Sequence, residues 1–380
     1  MTYKILSLDG GGFRGAISAR ILKEIEEQLK PHKLHDYFDL VTGTSTGSLL
    51  AAGIAKGRNA DELLNIYQEN GQEIFPQHVR QRRNFFRVTR GLFPFALYPH
   101  KGLEDVLSKE EILGNTKISE ITKAVLLIPA YDTLNRRTVW FCSNNPTSNK
   151  YWYDNIELWK ICLCSASAPT FFPPYQLRTP SKEEVGDGYL KRHLENLDMK
   201  PGEDYPFVDG GIAVNNPALI GISHAMLSPY KEKHPTKPNQ LQLNDIAILS
   251  IGTGRPKQPY SYQEVKRWGM LRWASHLGDI FLPAPNDVNA DVCWQLIRGG
   301  DDKNAQRVLR LNPTLEKDKE LEAIDNPDLY DKFVEIAETY LTEGRATVGM
   351  GQRVAPKEAI KKFIENNPIT VSVGVNGITG

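Results

Sequence analysis

Short apolar runs alternate with amphipathic stretches along most of the chain. Residues 3–8 form a mostly apolar run that predicts a buried strand, and residues 14–30 follow with apolar positions at the four-residue spacing of a helix face. Pro31 is expected to end this helix. Because strands and helices continue to alternate, the pattern predicts an α/β fold with a largely parallel sheet.

Later elements are predicted on the same grounds. Further strands are expected at 38–42, 123–133, 137–143, the residues up to Asp209, and 245–254. Further helices are expected at 48–57, 60–75, 155–168, after Asn216, 327–343 and 356–366. The closing residues 369–380 fit either a late strand or a frayed tail. We expect a core at 1–225 that carries the motifs, and at 226–380 its continuation, with a last strand near 245–254 and a C-terminal helical extension.

Composition narrows the classes of function. The 46 basic and 46 acidic residues balance, so no overall charge favours nucleic acid. The spacing of the four cysteines fits neither a disulfide framework nor a zinc site and indicates buried side chains in a reducing compartment. The first residues are too polar for a signal peptide, and no apolar run approaches the roughly 18 residues that span a bilayer. We therefore expect a soluble, cytoplasmic protein.

The loop after the first strand, SLDGGGFRG, holds Gly10, Gly12 and Gly15 at the spacing of a dinucleotide-binding loop. Such a site also needs an acidic residue about 20 positions later, at the end of the second strand. Asp36 and Asp39 instead come before the apolar part of that strand. The nucleotide interpretation therefore fails.

The second strand ends in Gly43-Thr-Ser45-Thr-Gly47, directly before a helix. Gly-x-Ser-x-Gly in this context is the pattern of a nucleophile elbow, whose tight turn exposes the serine hydroxyl at the helix N-terminus. A glycine-rich helix cap that packs closely on the sheet is the alternative. If Ser45 is a nucleophile, it sits at the carboxyl edge of the sheet, where α/β proteins bind their ligands.

A serine nucleophile needs donors for an oxyanion and a base. The amides of Gly10, Gly11 and Gly12 open a helix and can supply the donors. Arg14 either steadies this loop, meets an anionic head group, or is a solvated charge. No histidine after Ser45 stands at a strand end, whereas Asp209 does, although Asp-Gly is also common in Asx turns.

The motifs SLDGGGFRG, GTSTG and FVDGG, with SASAPTFFPP before the aspartate and NNP after it, resemble the patatin-like phospholipase family over residues 4–225. The resemblance implies a modified α/β-hydrolase sheet with helices on both faces and a Ser–Asp dyad without histidine. It makes Ser45 the nucleophile, Asp209 the base and the Gly10–Gly12 amides the oxyanion hole. The remaining matched motif positions are Gly15, Gly43, Gly47, Gly210 and Gly211.

The resemblance further implies a lipid acyl hydrolase of phospholipase A or lysophospholipase type, acting on phospholipids, glycolipids or lysolipids without a cofactor or metal. A carboxylate near its ordinary pKa of about 4 is a weak base for an alcohol. We therefore expect burial in an apolar pocket to raise the pKa of Asp209.

A basic and aromatic stretch lies between Ile74 and Leu103, where no acidic residue occurs. Its arginines and phenylalanines suit docking on an anionic membrane, and they equally suit a lid with its aromatic side chains turned inward. The candidate membrane contacts are Arg82, Arg83, Phe85, Phe86 and Arg87. Peripheral membrane association is therefore expected, and no nucleic-acid partner.

Two other functions use the same dyad. Acyl transfer is disfavoured because malonyl-transferase relatives of the fold usually carry a histidine in the elbow, where this chain has Thr44. The resemblance also admits a defence effector that a cyclic nucleotide activates to degrade membranes, but no nucleotide site is recognisable. Head-group preference and oligomeric state stay open.

Overall fold

A mostly parallel sheet runs through the middle of the fold. The computed structural model describes residues 2–86, 96–144, 151–186, 188–227, 241–257, 259–270, 272–273, 280, 284–299, 301–315, 319–348 and 352–369, with the backbone alone at 82–86, 302–303 and 319. The strands of the sheet are β1 (Tyr3–Leu8), β2 (Leu40–Gly43), β3 (Val125–Asp132), β4 (Arg137–Cys142), β5 (Tyr175–Arg178), β6 (Asp204–Asp209), β7 (Ile246–Ile251) and β8 (Val308–Leu311). A separate hairpin consists of β9 (Ala346–Val348) and β10 (Gln352–Val354).

Helices connect the strands. They are α1 (Gly15–Leu29), α2 (Leu34–Tyr37), α3 (Thr46–Lys56), α4 (Ala60–Ile74), α5 (Gln77–Phe86), α6 (Lys101–Leu107), α7 (Leu158–Ala166), α8 (Lys182–Val185), α9 (Tyr189–Asn196), α10 (Gly211–Val214), α11 (Ala218–Leu227), α12 (Tyr262–Val265), α13 (Ala284–Arg298), α14 (Tyr330–Glu343) and α15 (Pro356–Asn366). Asn59 begins α4 with a capping box, because its side chain accepts from the Glu62 amide while Glu62 accepts from the Asn59 amide.

Apolar cores lie on both faces of the sheet. Within β1, Ile5 packs into a core with α11 and α13, whereas Leu6 packs into the larger core on the opposite face with α1. This alternation explains why the strand is apolar almost throughout, since a parallel strand covered on both faces has no solvent side. The predicted α/β class, with helices on both faces of a mostly parallel sheet, is confirmed.

The sheet brings the carboxyl ends of β2 and β6 together. Leu127 of β3 pairs with both Thr42 and Cys142, and Ala130 pairs with both Val139 and Asp209. Because a strand residue has one neighbour on each side, β2 and β6 must share one side of β3, with β4 on the other. β2 is parallel to β3 and β6 is antiparallel to it. The two strands therefore run head-on, and the gap between them is where Ser45 and Asp209 lie.

Asp209 lies at the end of its strand, as expected, although β6 is antiparallel to β3 and reaches the site from the direction opposite to β2. One expectation is wrong. The last strand was expected near 245–254, but β8 pairs in parallel with β7 some fifty residues later in the chain. The short run VLRL carries too little periodicity to reveal β8. The division of the chain at residue 225 stays a prediction.

The remaining predicted strands and helices are found within a few residues of their expected bounds. Residues 370–380 of the closing segment lie outside the described residues. All four cysteines are free and buried, as expected. Among the described residues, every helix is too short or too polar to cross a membrane.

Candidate active site

Ser45 occupies a strained turn between β2 and α3. Its φ of 54° and ψ of −123° lie in a region that non-glycine residues rarely adopt. Added Cβ atoms at Gly43 and Gly47 would overlap the Gly47 and Leu8 carbonyl groups, so the turn closes only with glycine at both positions. This is the local geometry of a nucleophile elbow, with the serine at the start of a helix.

The end of α7 holds the two halves of the site together. The Ser45 amide donates to Ser165 Oγ at 3.1 Å, and the Gly210 amide donates to the Ser165 carbonyl at 3.1 Å. Two residues later, the Ser167 carbonyl accepts from the Asp209 amide at 3.0 Å. Ser165 and Ser167 thus fix the separation between the elbow and the aspartate loop.

Asp209 is a buried carboxylate held by neutral donors. The Gly211 amide donates to Asp209 Oδ1 at 2.7 Å. Burial raises the pKa of Asp209 to about 6, although its interactions with the Ser45 side chain and the Gly211 amide oppose the rise. In the part of the chain that the structure describes, Asp209 forms no ion pair. A raised pKa is the direction that a carboxylate base requires.

The glycine loop after β1 lies against both halves of the site. Gly10 is close enough that a Cβ there would lie 3.2 Å from Ser45 Cβ. Its amide donates to the Asn215 carbonyl at 3.0 Å, and its carbonyl accepts from Thr253 Oγ1 at 2.9 Å. The amides of Gly11 and Gly12 have no hydrogen-bond partner among the described residues. Gly12 has a φ of 58°, which turns the chain into the helix that follows.

Asp9 anchors this loop through an ion pair with β8. Arg310 Nη1 donates to Asp9 Oδ1 at 2.9 Å, and Arg310 Nη2 donates to Asp9 Oδ2. The same Nη1 also donates to Ser250 Oγ of β7 at 2.7 Å. Burial opposes the charge of Arg310, but the charge and hydrogen bonds of Asp9 outweigh it and raise the pKa of the guanidinium. Arg310 of β8, the last strand of the sheet along the chain, therefore holds the loop at the end of β1.

The predicted site residues separate into three groups. The structure brings together Ser45, Asp209 and the Gly10–Gly12 loop, while Arg14 is half-buried at the start of α1, with its amide donating to the Gly11 carbonyl at 3.3 Å. The side chains of the expected membrane contacts Arg82, Arg83, Phe85 and Phe86, at the end of α5, lie outside what is described, and Arg87 lies outside the described residues altogether.

Several functional candidates were missed by sequence reasoning. Ser165, Ser167 and Asn215 stand in the flanking motifs SASAP and NNP, which carried a resemblance but no assigned role. Thr253 follows β7 in a Gly-Thr-Gly sequence that offered a weak signal, and Arg310 offered none. Within the described residues, no group of His, Cys, Asp and Glu side chains could hold a metal ion.

One histidine comes near the site without joining the pair. His100 Nε2 lies 2.9 Å from Ser167 Oγ, and its ring stacks on Phe172. Burial lowers the pKa of His100. Its hydrogen bond is made with Ser167, whose carbonyl accepts from the Asp209 amide, and not with Ser45 or the Asp209 carboxylate.

An α/β sheet with a serine elbow facing a buried aspartate defines the class of protein. The family model described as Patatin-like phospholipase matches residues 6–222. This chain belongs to that family. Patatin-like protein 3 of Arabidopsis thaliana is 29% identical over 94% of this chain and 87% of its own length. Patatin group M-3 of Solanum tuberosum is 31% identical over 71% of this chain and 66% of its own length.

Solved structures with a similar chain course include VipD from Legionella pneumophila, with a TM-score of 0.39 and 11% identity over 89% of this chain and 67% of that chain. Human GIVD cytosolic phospholipase A2 has a TM-score of 0.35 and 12% identity over 70% of this chain and 50% of that chain. A further Solanum tuberosum relative, 29% identical over 79% of this chain and 76% of its own length, is named "Probable inactive patatin-3-Kuras 1". Family membership supports lipid acyl hydrolase activity, and the activity of each member depends on its own active-site residues.

Proposed function

We propose that this protein hydrolyses fatty-acyl esters of phospholipids, glycolipids or lysolipids through an acyl-enzyme on Ser45, with Asp209 as the base. It is then a serine hydrolase of phospholipase A or lysophospholipase type. The observation that carries the proposal is the pairing of a strained serine with a buried carboxylate whose pKa is raised to about 6. The raised pKa supports proton transfer from an alcohol, while the carboxylate is still ionised near neutral pH.

Each step uses groups already described. Ser45 Oγ attacks the ester carbonyl carbon as its proton passes to Asp209, and the carbonyl oxygen becomes an oxyanion. When the tetrahedral intermediate collapses, the alcohol leaves with the proton from Asp209 and the acyl group remains on Ser45. Asp209 then takes a proton from water, which attacks the acyl-enzyme, and the same proton returns to Ser45 as the fatty acid departs.

The amides of Gly11 and Gly12 are the proposed oxyanion donors. Gly10 was expected to be a third donor, but its amide is engaged by the Asn215 carbonyl, so we assign it to holding the loop. The Gly11 and Gly12 amides support the assignment because no described residue accepts from them. Donors fixed before the reaction need no reorganisation when the negative charge develops.

The test compares wild type with Ser45→Ala and His100→Gln. We expect wild type to release fatty acid from phospholipid vesicles and to hydrolyse p-nitrophenyl esters without added metal or nucleotide. Ser45→Ala should be inactive, whereas His100→Gln should keep most of the activity because His100 stands behind the pair. Because Asp209 must be ionised, the rate of wild type should rise with pH through about 6 and level off above it.

Each result that departs from these expectations points to a different mechanism or function. Activity that survives in Ser45→Ala would contradict the nucleophile, and loss of activity in His100→Gln equal to that in Ser45→Ala would replace the dyad with a histidine mechanism. An inactive wild type that becomes active on addition of a cyclic nucleotide would favour the effector function. Products carrying the acyl group on an added alcohol or thiol would favour transfer.

A further inference from the structure

An exposed segment begins next to the glycine loop of the active site. We call residues 255–273 the aromatic–basic segment, of which 255–257, 259–270 and 272–273 are described. Just before it, Thr253 Oγ1 donates to the Gly10 carbonyl at 2.9 Å. After it, Asn289 Nδ2 of α13 donates to the carbonyl of Asn216, seven residues past Asp209, at 3.1 Å. The chain is therefore tied to loops that border the site before the segment, at Thr253, and sixteen residues after it, at Asn289.

The segment exposes large apolar side chains around a small aromatic core. Trp268 is only 8% exposed and packs edge-on against Tyr260 and Trp273, with ring centroids 5.0 and 5.1 Å away. Met270 is 84% exposed and Tyr262 is 77% exposed. Large apolar side chains this exposed, eight positions apart in one short segment, are candidates for contact with a partner. The aromatic core explains how the segment holds its shape while its apolar side chains stay outside.

The same segment concentrates positive charge in a chain with no net charge. Its described charged residues are Arg255, Lys257, Glu264, Lys266, Arg267 and Arg272. Arg255 pairs with Asp287 at 2.9 Å, and the Lys266 ammonium lies over the Tyr262 ring, 5.5 Å from its centroid. Lys257, Lys266 and Arg267 form no ion pair with any described residue. Basic groups thus alternate with exposed apolar ones.

We propose that the aromatic–basic segment docks the active-site edge of the protein on an anionic lipid surface. Charge complementarity selects this partner, since lysine and arginine near anionic head groups attract the protein while aromatic and methionine side chains enter the interface. The proposal rests on the proposed function, because docking at this edge would hold Ser45 close to its lipid substrate. It assigns membrane contact to a different segment from the arginines and phenylalanines at the end of α5.

The experiment measures binding to vesicles in a Ser45→Ala background, so that the lipid is not consumed. The vesicles contain phosphatidylcholine alone or phosphatidylcholine with phosphatidylglycerol. Lys266→Glu with Arg267→Glu should weaken binding to the anionic vesicles by roughly 25-fold or more, because each basic residue near an anionic surface contributes about fivefold. Met270→Ser should weaken binding as well, and high salt should reduce the effect of the charge variant.

Matched controls come from the opposite edge of the sheet. Lys30 and Lys33 are exposed between α1 and the amino end of β2, so Lys30→Glu with Lys33→Glu makes the same change of charge away from the site. Leu227, 72% exposed, ends α11 at the far end from Asn216, which makes Leu227→Ser the control for Met270→Ser. Neither control should change binding.

Soluble ester hydrolysis, measured with Ser45 restored, separates this proposal from the proposed function. Docking is supported if the segment variants lose vesicle binding but hydrolyse p-nitrophenyl esters at the wild-type rate. It is overturned if the Ser45→Ala protein with an unchanged segment does not prefer anionic vesicles, if the controls lose as much binding, or if the segment variants lose soluble ester hydrolysis equally. Segment-dependent binding by a protein that hydrolyses no ester would leave docking standing and refute the hydrolase.

Discussion

Two strand ends in this protein carry the same local sequence and do different things. β1 ends at Leu8 and is followed by Asp9-Gly10-Gly11, and β6 ends at Asp209 and is followed by Gly210-Gly211. Both aspartates are buried, and burial raises the pKa of each above its ordinary value. Both also precede two glycines that lie close to atoms of other residues.

The difference lies in what faces each carboxylate. Asp9 receives two hydrogen bonds and a full positive charge from Arg310. Among the described residues, Asp209 receives a hydrogen bond from the Gly211 amide and interacts with the neutral Ser45 side chain. A carboxylate locked into a bidentate ion pair has its lone pairs occupied and is a poor base, whereas one held by neutral donors keeps the basicity that burial gives it.

Whether a strand-end Asp-Gly-Gly carries an ion-paired anchor or the proposed base therefore depends on a residue that is distant in sequence. Arg310 comes from β8, and its charge compensates Asp9 beside the proposed oxyanion donors. Without that charge, an anionic Asp9 would repel the negative charge that develops on the substrate. In the proposed mechanism, the anchor Asp9 thus serves the same reaction as Asp209.

The largest expected effect is a loss of activity when Asp209 is changed. Asp209→Asn should lower kcat for p-nitrophenyl ester hydrolysis by about 10⁴-fold, because an amide accepts no proton from Ser45. The protein should stay folded, since the Gly211 amide can still donate to the side-chain oxygen of the introduced asparagine. The measurement is kcat together with far-ultraviolet circular dichroism. A variant with a near-normal kcat would remove Asp209 from the mechanism.

The second expectation concerns the ion pair between Asp9 and Arg310. Arg310→Met leaves Asp9 buried without its cation, and breaking one partner of a buried pair costs about 3–5 kcal/mol in the free energy of unfolding. Urea denaturation measures that loss. The double variant Asp9→Asn with Arg310→Met should recover most of the stability, because neither remaining group is charged.

A recovery of stability without recovery of kcat would sharpen the comparison, since it would show that the charge of Arg310 itself aids the reaction. If Arg310→Met were as stable as wild type, the ion pair would not be an anchor. In that event the distinction between the two aspartates would have to come from burial alone.

Local features of the site could be predicted from sequence, and its long-range contacts could not. The strand before Ser45 and the helix after it follow from apolar periodicity and the glycines that frame the turn. The direction of β6 depends on pairing with β3, which no periodicity encodes. Likewise, nothing in the sequence VLRL indicates that Arg310 meets Asp9, about 300 residues earlier. The occupied amide of Gly10 also depends on such a contact, with Asn215.

The third expectation is a gain in the free energy of unfolding when Asp209 is replaced by the neutral asparagine. The pKa of Asp209 is about 6 in the folded protein against an ordinary value of 3.8, so the folded state holds the proton more tightly than the unfolded state. This contribution stabilises the fold below pH 3.8 and is lost as the pH rises through 6. Asp209→Asn should therefore be more stable than wild type by about 3 kcal/mol above pH 6.

The gain should shrink towards zero below about pH 4, where Asp209 is protonated in both states. Urea denaturation at several pH values measures it. Asp9→Asn provides the contrast: it should lose stability near neutral pH, because it leaves Arg310 without its counterion. Equal pH dependence of the two variants would erase the difference between base and anchor.

The smallest expected effect tests the support of the glycine loop from β7. Thr253→Val keeps the shape of the side chain but removes the hydrogen bond to the Gly10 carbonyl, which should cost about 1 kcal/mol of unfolding free energy. Thr179→Val is the control at a buried threonine after β5, whose hydroxyl donates to the Lys200 carbonyl and also accepts from the Glu203 amide. If the loop positions the oxyanion donors, only Thr253→Val should also lower kcat, with KM unchanged. Equal values of kcat in the two variants would limit Thr253 to a structural role.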